Sequence, residues 1–284
     1  EGAGGSPSSP AERGVRDLRI RKLVARVGLS QRRSRLIGRL RTRKSRAKES
    51  LVLVEGVRAV REAFDAGADL RFAVTSPRLE QTAVGPTLLD RVSRAGLETH
   101  SVEDAELSDL AATDHAQGVL LVCAEPDASL DLVVAGTRLL VLDGVQDPGN
   151  VGTLVRAAVA FGLDAVIALD GTADPWSPKT VRASAGMAFR IPVIQSRIGD
   201  AAAAVRFAGV PLCVAAVAGE PVSGIACRDG FALVLGNEGA GVREALREAA
   251  ELTVSIPMRG PAESLNVGMA GSVLLYELTK ESRA

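Results

Sequence analysis

Short runs rich in apolar residues alternate with helix-like segments throughout the C-terminal half of this 284-residue chain. The runs at 139–142, 165–169, 211–217, 231–235 and 252–257 are typical of strands, and the segments at 151–161, 180–187, 200–207, 242–250 and 265–278 are typical of helices. Nearly continuous apolar strands separated by helices indicate a parallel sheet that is covered on both faces. The pattern predicts an α/β domain over residues 137–284, with a mainly parallel sheet. Ligand sites are expected in loops beyond the carboxyl ends of its strands.

A smaller α/β pattern precedes this domain. Strands are predicted at 51–54, 70–75 and 119–124, and helices at 56–66 and 88–95. Their alternation predicts a compact domain over residues 49–127. Its polar residues Glu55, His115 and Gln117 are isolated in the sequence, so we expect this domain to bind or pack rather than to catalyse.

Charge is distributed unevenly along the chain. Lysine plus arginine and aspartate plus glutamate both total 34, but residues 1–50 hold fifteen basic and four acidic side chains. Apolar residues at helical spacing predict two short basic helices: Ile20, Leu23, Val24 and Val27, then Leu36, Ile37 and Leu40. We expect residues 1–48 to form a flexible basic arm. Such an arm either binds a polyanion or is a solvated tail.

The cysteines and histidines do not suggest a metal site. Cys123, Cys213 and Cys227 are odd in number and form no CxxC pair. Buried thiols in a reducing compartment are the expected state. The two histidines, His100 and His115, are too few and too far apart for a metal cluster. We therefore expect no metal.

The apolar runs of the sequence suggest neither a membrane span nor a signal peptide. The longest apolar run, 210–218, is interrupted by Pro211 and is too short to cross a bilayer. The basic N-terminal stretch is not followed by the apolar segment of a signal peptide. We expect a cytoplasmic protein that does not use a membrane, with an arginine-rich organellar presequence as the alternative.

Three loops that follow predicted strands are rich in polar and turn-forming residues. The first, 143–150, ends at Asn150, which is placed to cap the next helix. The second, 236–241, has three glycines, which let the backbone approach a ligand closely. In the third, 256–267, Ser264 is predicted to cap the last helix. The glycine spacing is not GxGxxG, which disfavours NAD or FAD and leaves another nucleotide-type cofactor or a structural turn.

Together these loops resemble the three motifs of the SpoU family, the S-adenosylmethionine-dependent RNA ribose 2′-O-methyltransferases of the SPOUT superfamily. The matching segments are 147–152 with Arg156, 235–241 and 256–267, in the family's order. The resemblance implies a methyltransferase domain with a trefoil knot. It also implies that the smaller domain binds the RNA substrate.

The resemblance implies roles for individual residues. Gly236, Ile256 and Leu265 would contact S-adenosylmethionine through backbone groups. The reaction centre would be lined by Asn150, Arg156, Glu238, Ser264 and Asn266. In the family account Arg156 removes the proton of the 2′-hydroxyl. A guanidinium seldom gives up its proton, so Arg156 could instead stabilise the developing alkoxide or hold a phosphate.

The expected function is 2′-O-methylation of ribosomal RNA, with transfer RNA as the alternative substrate. An alternative of a different class is a non-catalytic RNA-binding or ribosome-assembly factor with the same fold. The resemblance also implies a homodimer formed through the C-terminal domain. An apolar stripe on the last predicted helix suits such an interface: Leu265, Met269, Val273, Leu274 and Leu278.

Overall fold

The N-terminal part of the molecule is an α/β domain built on a four-stranded sheet. The computed structural model describes residues 28–113, 116–225 and 230–280. The strands are β1 (Leu51–Glu55), β2 (Leu70–Thr75), β3 (Thr99–Ser101) and β4 (Val119–Ala124), in the order β1-β4-β2-β3. The helices are α1 (Gln31–Leu40), α2 (Arg43–Glu49), α3 (Val57–Asp65), α4 (Gly85–Arg94) and α5 (Asp104–Leu110). Strand β4 is antiparallel to both of its neighbours.

The predicted flexible arm over residues 1–48 is wrong in its C-terminal part. Helix α1 begins after Ser30, whose side chain accepts a hydrogen bond from the backbone N–H of Arg33. Ile37 and Leu40 are fully buried in the small domain's core. Helices α1 and α2 therefore belong to this domain, because their apolar side chains complete its core. The other predicted basic helix, at 20–27, lies outside the described residues, as do His115 and Cys227.

The C-terminal domain confirms the predicted parallel sheet. Its strands are β5 (Arg138–Asp143), β6 (Ala165–Leu169), β7 (Val193–Ser196), β8 (Leu212–Pro221), β9 (Phe231–Gly236) and β10 (Leu252–Ser255). They lie in the order β10-β8-β9-β5-β6-β7, and every neighbouring pair is parallel. Asp143 pairs with Gly236 where β5 and β9 end. The loops that leave these two strands therefore begin side by side.

Helices cover both faces of the parallel sheet. They are α6 (Pro148–Ala160), α7 (Pro178–Ala183), α8 (Ile198–Phe207), α9 (Glu244–Glu248) and α10 (Val267–Thr279). Successive strand residues point to opposite faces: Leu140 and Leu142 pack in the core formed with α6 and α10, whereas Leu139 and Val141 pack in the core formed with α8 and α9. This double burial explains the nearly continuous apolar strands.

Buried polar contacts join the two domains. The Arg46 side chain is 3% exposed and forms an ion pair with Asp174, with its Nε 3.1 Å from Oδ2. Its Nη1 also donates to the carbonyl oxygen of Leu40 at 2.7 Å. A charge buried this deeply is tolerated because it is paired and hydrogen-bonded. Helix α2 is thereby held against the C-terminal domain.

The predicted buried thiols are present where the chain is described. Cys123 and Cys213 are both buried and neither forms a disulfide. Burial raises the pKa of the Cys123 thiol to about 12, so this thiol is un-ionised and unreactive at neutral pH. No helix in the described part of the chain is long and apolar enough to span a bilayer.

Candidate active site

A cavity of about 570 Å³ lies beside the carboxyl ends of β9 and β10. We call it the motif cavity, because the loops 236–241 and 256–267 form much of its wall. It is lined by all three residues that the resemblance connects with the cofactor: Gly236, Ile256 and Leu265. Its volume falls in the range of roughly 300–1,000 Å³ that is typical of small-molecule sites.

Gly236 is required for the shape of this cavity. A Cβ atom at Gly236 would overlap the backbone carbon of Gly241 and the backbone nitrogen of Val242. The chain folds back on itself here, since the backbone groups of Asn237 and Gly241 exchange hydrogen bonds of 3.0 and 2.9 Å. Only glycine allows two backbone segments to pack so closely.

Asn237 holds the same loop in place, and sequence reasoning missed it. Its Oδ1 accepts hydrogen bonds from the backbone N–H groups of Gly239 and Ala240 at 3.0 and 2.9 Å. Its Nδ2 donates to the carbonyl oxygen of Gly144 at 2.9 Å, in the loop that follows β5. Asparagine commonly bonds to backbone groups two residues ahead, which is the signal that could have identified this role.

A chain of side-chain hydrogen bonds connects the three motifs. Asn266 Nδ2 donates to Asn150 Oδ1 at 3.0 Å, and Asn150 Nδ2 donates to Glu238 Oε1 at 2.9 Å. The backbone N–H of Gln146 donates to Glu238 Oε2 at 3.2 Å. Partial burial opposes ionisation of Glu238, but the hydrogen bonds from Asn150 and from backbone N–H groups outweigh it and lower the pKa of this carboxyl. Glu238 is therefore a carboxylate at neutral pH.

The predicted helix caps Asn150 and Ser264 are both wrong. Neither side chain is used in capping, so both remain available to the site. Helix α6 is capped by Asp147, whose Oδ1 accepts from the Gly149 N–H at 2.9 Å. Asn150 lies within the first turn, so its amide is free to join the network. Helix α10 starts later than predicted and is capped by Asn266. Ser264 lies in the preceding loop and lines the motif cavity.

Arg156 is not part of this network. It is exposed on α6, six residues beyond Asn150, which places the two side chains roughly 120° apart around the helix. Arg156 lines a second cleft, together with Glu55 and Gln117 of the small domain. The fold thus gathers Glu238, Asn266, Ser264 and Asn150 around the motif cavity and places Arg156 elsewhere.

Both domains match known families. Residues 137–276 match the SpoU rRNA methylase family, and residues 32–121 match the MRM3-like substrate binding domain. The 23S rRNA (guanosine(2553)-2′-O)-methyltransferase RlmP of Bacillus subtilis is 35% identical over 241 residues, which cover 84% of this chain and 93% of that protein. The chain belongs to the SpoU rRNA methylase family. The match to the MRM3-like substrate binding domain begins at residue 32, inside α1. This start agrees with the finding that α1 belongs to the small domain.

Two further proteins are similar to this one over most of its length, one in sequence and one in structure. The 23S rRNA (uridine(2479)-2′-O)-methyltransferase of Streptomyces viridochromogenes is 30% identical over 279 residues, which cover 95% of each protein. The crystal structure of an AdoMet-bound rRNA methyltransferase from Sinorhizobium meliloti has a TM-score of 0.75 and 30% identity. It covers 88% of this chain and 95% of that one.

An ion pair between a half-exposed arginine and a buried aspartate fixes the segment that follows the second SpoU motif. Arg243 donates from its backbone N–H and its Nε to the two carboxylate oxygens of Asp143, at 2.7 and 2.6 Å. The Asp143 side chain is fully buried at the end of β5, and Arg243 Nη1 also reaches Asp170 Oδ2 at 2.9 Å. The hydrogen bond from Arg243 lowers the pKa of Asp170. These contacts hold the 236–243 segment against β5.

Metal-ligating side chains do not cluster in the part of the chain that the structure describes. Within residues 28–113, 116–225 and 230–280, no group of three or more His, Cys, Asp or Glu side chains is arranged to hold a metal ion.

Proposed function

We propose that this SpoU-family protein transfers a methyl group from S-adenosylmethionine to a ribose 2′-hydroxyl of ribosomal RNA. The observation that carries the proposal is the Asn266–Asn150–Glu238 chain of hydrogen bonds, which joins the three motifs beside a cavity of cofactor size. The Bacillus and Streptomyces relatives, both named as 23S rRNA 2′-O-methyltransferases, support ribosomal RNA over transfer RNA.

The motif cavity fits S-adenosylmethionine. Gly236, Ile256 and Leu265 line it and would hold the cofactor through their backbone groups. When bound, S-adenosylmethionine supplies an electrophilic methyl group on a positively charged sulfur. Glu238 also lines the cavity, and its lowered pKa keeps a negative charge there at neutral pH. A carboxylate at this position suits a cationic ligand.

The remaining polar residues would act on the RNA. The amides of Asn150 and Asn266 orient one another by their hydrogen bond and, with Ser264, would position the ribose. Arg156 would stabilise the negative charge that develops on the 2′-oxygen, since such preorganised charges often make the largest contribution to catalysis. The hydroxyl proton would pass to water, because a guanidinium that keeps its own proton has no lone pair with which to accept another.

Direct binding tests the catalytic proposal against a non-catalytic assembly factor. Isothermal titration calorimetry of the full chain with S-adenosylmethionine should show one site per protomer. Saturation with S-adenosylmethionine should also raise the melting temperature, because a ligand that binds only the folded state stabilises it. If neither heat nor a thermal shift is seen at millimolar cofactor, the assembly factor is the better account.

We also propose a homodimer formed through α10. Of the predicted apolar stripe, Leu274 and Leu278 are buried in the protomer's own core, whereas Met269 and Val273 are exposed. Tyr276, which the predicted stripe did not include, is also exposed and continues the helical spacing of these two residues. Exposed apolar side chains on one helix face are typical of protein interfaces. Because Arg156 does not line the motif cavity of its own protomer, we propose that it acts at the motif cavity of the partner protomer in this dimer. We also propose that the C-terminal domain has the trefoil knot that the resemblance implies.

Val273→Asp should convert the dimer into a monomer. A carboxylate placed in an apolar interface would lose its hydration without gaining a partner, which is strongly unfavourable. Sedimentation velocity at micromolar concentration should show a dimer for the unaltered chain and a monomer for the variant. Val134→Asp is the matched control. Val134 is also an exposed valine, but it lies in the segment between β4 and β5 and not on α10. A monomeric unaltered chain would contradict the dimer.

Residues 1–27 are proposed to bind RNA phosphates through their charge. They hold six basic and three acidic side chains, and the adjoining α1 exposes Arg32 and Arg35. Deleting residues 1–27 should weaken RNA binding and reduce its salt dependence, because fewer counterions are released. Cofactor binding should not change. Deletion through residue 48 is unsuitable, since it also removes the buried Ile37 and Leu40.

Fluorescence anisotropy with labelled ribosomal RNA fragments, at several salt concentrations, measures this effect. A full-length control with the six basic residues of segment 1–27 replaced by serine should behave like the deletion. An unchanged salt slope in both proteins would show that the segment does not contact RNA.

A ribosomal RNA substrate also places the enzyme where ribosomes are made, and we propose the cytoplasm.

A further inference from the structure

A second cleft, of about 370 Å³, lies between the two domains. It is lined by Arg58 on α3, Arg156 on α6 and Arg182 on α7, and we call it the arginine cleft. We propose that the arginine cleft binds a backbone phosphate of the RNA, next to the ribose that is methylated. This inference rests on the proposed function and adds two residues, Arg58 and Arg182, that the SpoU motifs do not include.

Positive charge predominates in the arginine cleft. Arg58, Arg156 and Arg182 are all exposed, and neither Arg58 nor Arg156 forms an ion pair with any described residue. The one acidic residue that lines the cleft is Glu55, which is 2% exposed. The nearest contact between the opposite charges joins Arg182 Nη1 to Glu55 Oε1 at 3.7 Å. Arg58 therefore has no carboxylate partner among the described residues, and Arg182 makes only this long contact at 3.7 Å, so both side chains can turn to an anion while Arg156 serves the 2′-oxygen.

Glu55 is already satisfied by the small domain. Its Oε2 accepts a hydrogen bond from the backbone N–H of Ala112 at 2.9 Å, and its Oε1 accepts from the hydroxyl of Thr113. These bonds anchor the turn after α5 and hold the carboxylate away from Arg58 and Arg156. Glu55 thus has a structural role, and its single negative charge offsets at most one of the three arginines, so the cleft keeps a net positive charge.

The cleft is held open by close packing of the two domains. Gly186, just after α7, has a φ of +85°, and a Cβ there would lie 2.7 Å from Ala59 Cα on α3. Arg190 Nε donates to Glu62 Oε2, also on α3, at 2.9 Å. Helices α3 and α7 are therefore fixed relative to each other, and so are the backbone positions of Arg58 and Arg182. Preorganisation of this kind reduces the entropy lost on binding.

The start of α3 adds to the attraction for an anion. The side chain of Gln117 accepts from the backbone N–H of Val57 at 2.9 Å and fixes the first turn. No acidic residue lies in that turn, so the positive end of the helix dipole is not compensated there.

Among the described residues that line the cleft, none is aromatic. A phosphate therefore fits this cleft better than a stacked base.

The arginine cleft also has the right location. Arg156, which would act on the 2′-oxygen, forms part of its wall. A phosphate held by Arg58 and Arg182 would be adjacent to the reacting nucleotide. The RNA strand would then run between the domains and contact both.

Methyl-transfer kinetics test the proposal. The full-length chain would be assayed with tritiated S-adenosylmethionine and an in-vitro transcript of 23S ribosomal RNA. Arg58→Ala and Arg182→Ala should each raise the KM for RNA about tenfold, and should lower the slope of log KM against log salt by about one. The kcat at saturating RNA and the affinity for S-adenosylmethionine should change little. Arg206→Ala is the matched control, because Arg206 is an exposed arginine on α8 outside the cleft.

An unchanged KM and salt slope in both single variants would overturn the proposal, as would an equal effect of Arg206→Ala. Each variant's melting temperature would be measured, and Arg58→Lys should recover part of the affinity because it restores the charge. If the unaltered chain methylates no transcript, the proposed function fails instead. Anisotropy with a labelled single-stranded RNA of about 20 nucleotides then tests the cleft alone, and unchanged affinity of the Arg58→Ala/Arg182→Ala variant would refute it.

Discussion

Arg156→Ala is expected to lower kcat by about 10²–10³-fold, the usual cost of removing one group that stabilises developing charge. The affinity for S-adenosylmethionine should stay the same, because Arg156 does not line the motif cavity. Single-turnover methyl transfer and calorimetry on the same preparation separate the two effects. Near-normal turnover would remove Arg156 from the mechanism.

Mixing experiments test whether Arg156 acts across a dimer. A heterodimer of Arg156→Ala and Gly236→Ala protomers would contain one cavity with an intact Gly236 and an intact Arg156 from the other protomer. Two inactive proteins should therefore regain activity when they are mixed and allowed to exchange subunits. Failure to regain activity, with subunit exchange demonstrated by labelled protomers, would place Arg156 and the cavity in the same protomer.

Gly236→Ala is expected to weaken binding of S-adenosylmethionine by about a hundredfold, the scale of loss that a displacement of about 1 Å can cause. The added methyl group would overlap backbone atoms of Gly241 and Val242, which cannot rotate away as a side chain could. The 236–241 loop must therefore move. Calorimetry measures the affinity, and circular dichroism checks that the domain is folded.

The same loop offers a matched control. A Cβ at Gly239 would meet only Asn237 Oδ1, at 3.6 Å, which is an ordinary contact. Gly239→Ala should therefore change the affinity by less than about threefold, since the loop does not have to move. Equal losses in both variants would mean that the loop needs flexibility rather than one close backbone approach.

The parallel sheet was predictable because its central strands are buried on both faces. Strands β5, β6 and β9 lie within a residue of the predicted ranges. Strands β3 and β7 were missed, since they are short and carry polar residues such as Thr99 and Gln195. For α1, helical spacing of Ile37 and Leu40 predicted the helix, but its many charges suggested an exposed arm. Helix α1 is part of the small domain because Ile37 and Leu40 pack in that domain's core.

The site was predictable where local chemistry marks it. Glycine and asparagine at strand ends identified the loops around Gly236 and Asn266, and these loops do form the motif cavity. The arginine cleft was not predictable, because Glu55 and Gln117 are isolated in the sequence. They meet Arg156 only through the docking of one domain on the other, a long-range arrangement that no local pattern encodes.

The most direct test of the central claim is a ribose-methylation map of total RNA from cells with and without the gene. We predict that one 2′-O-methylated nucleotide of 23S ribosomal RNA loses its methyl group in the deletion strain. It should regain the methyl group with the unaltered gene but not with the Arg156→Ala variant. Identical maps of all ribosomal RNA in both strains would contradict ribosomal RNA 2′-O-methylation as the function.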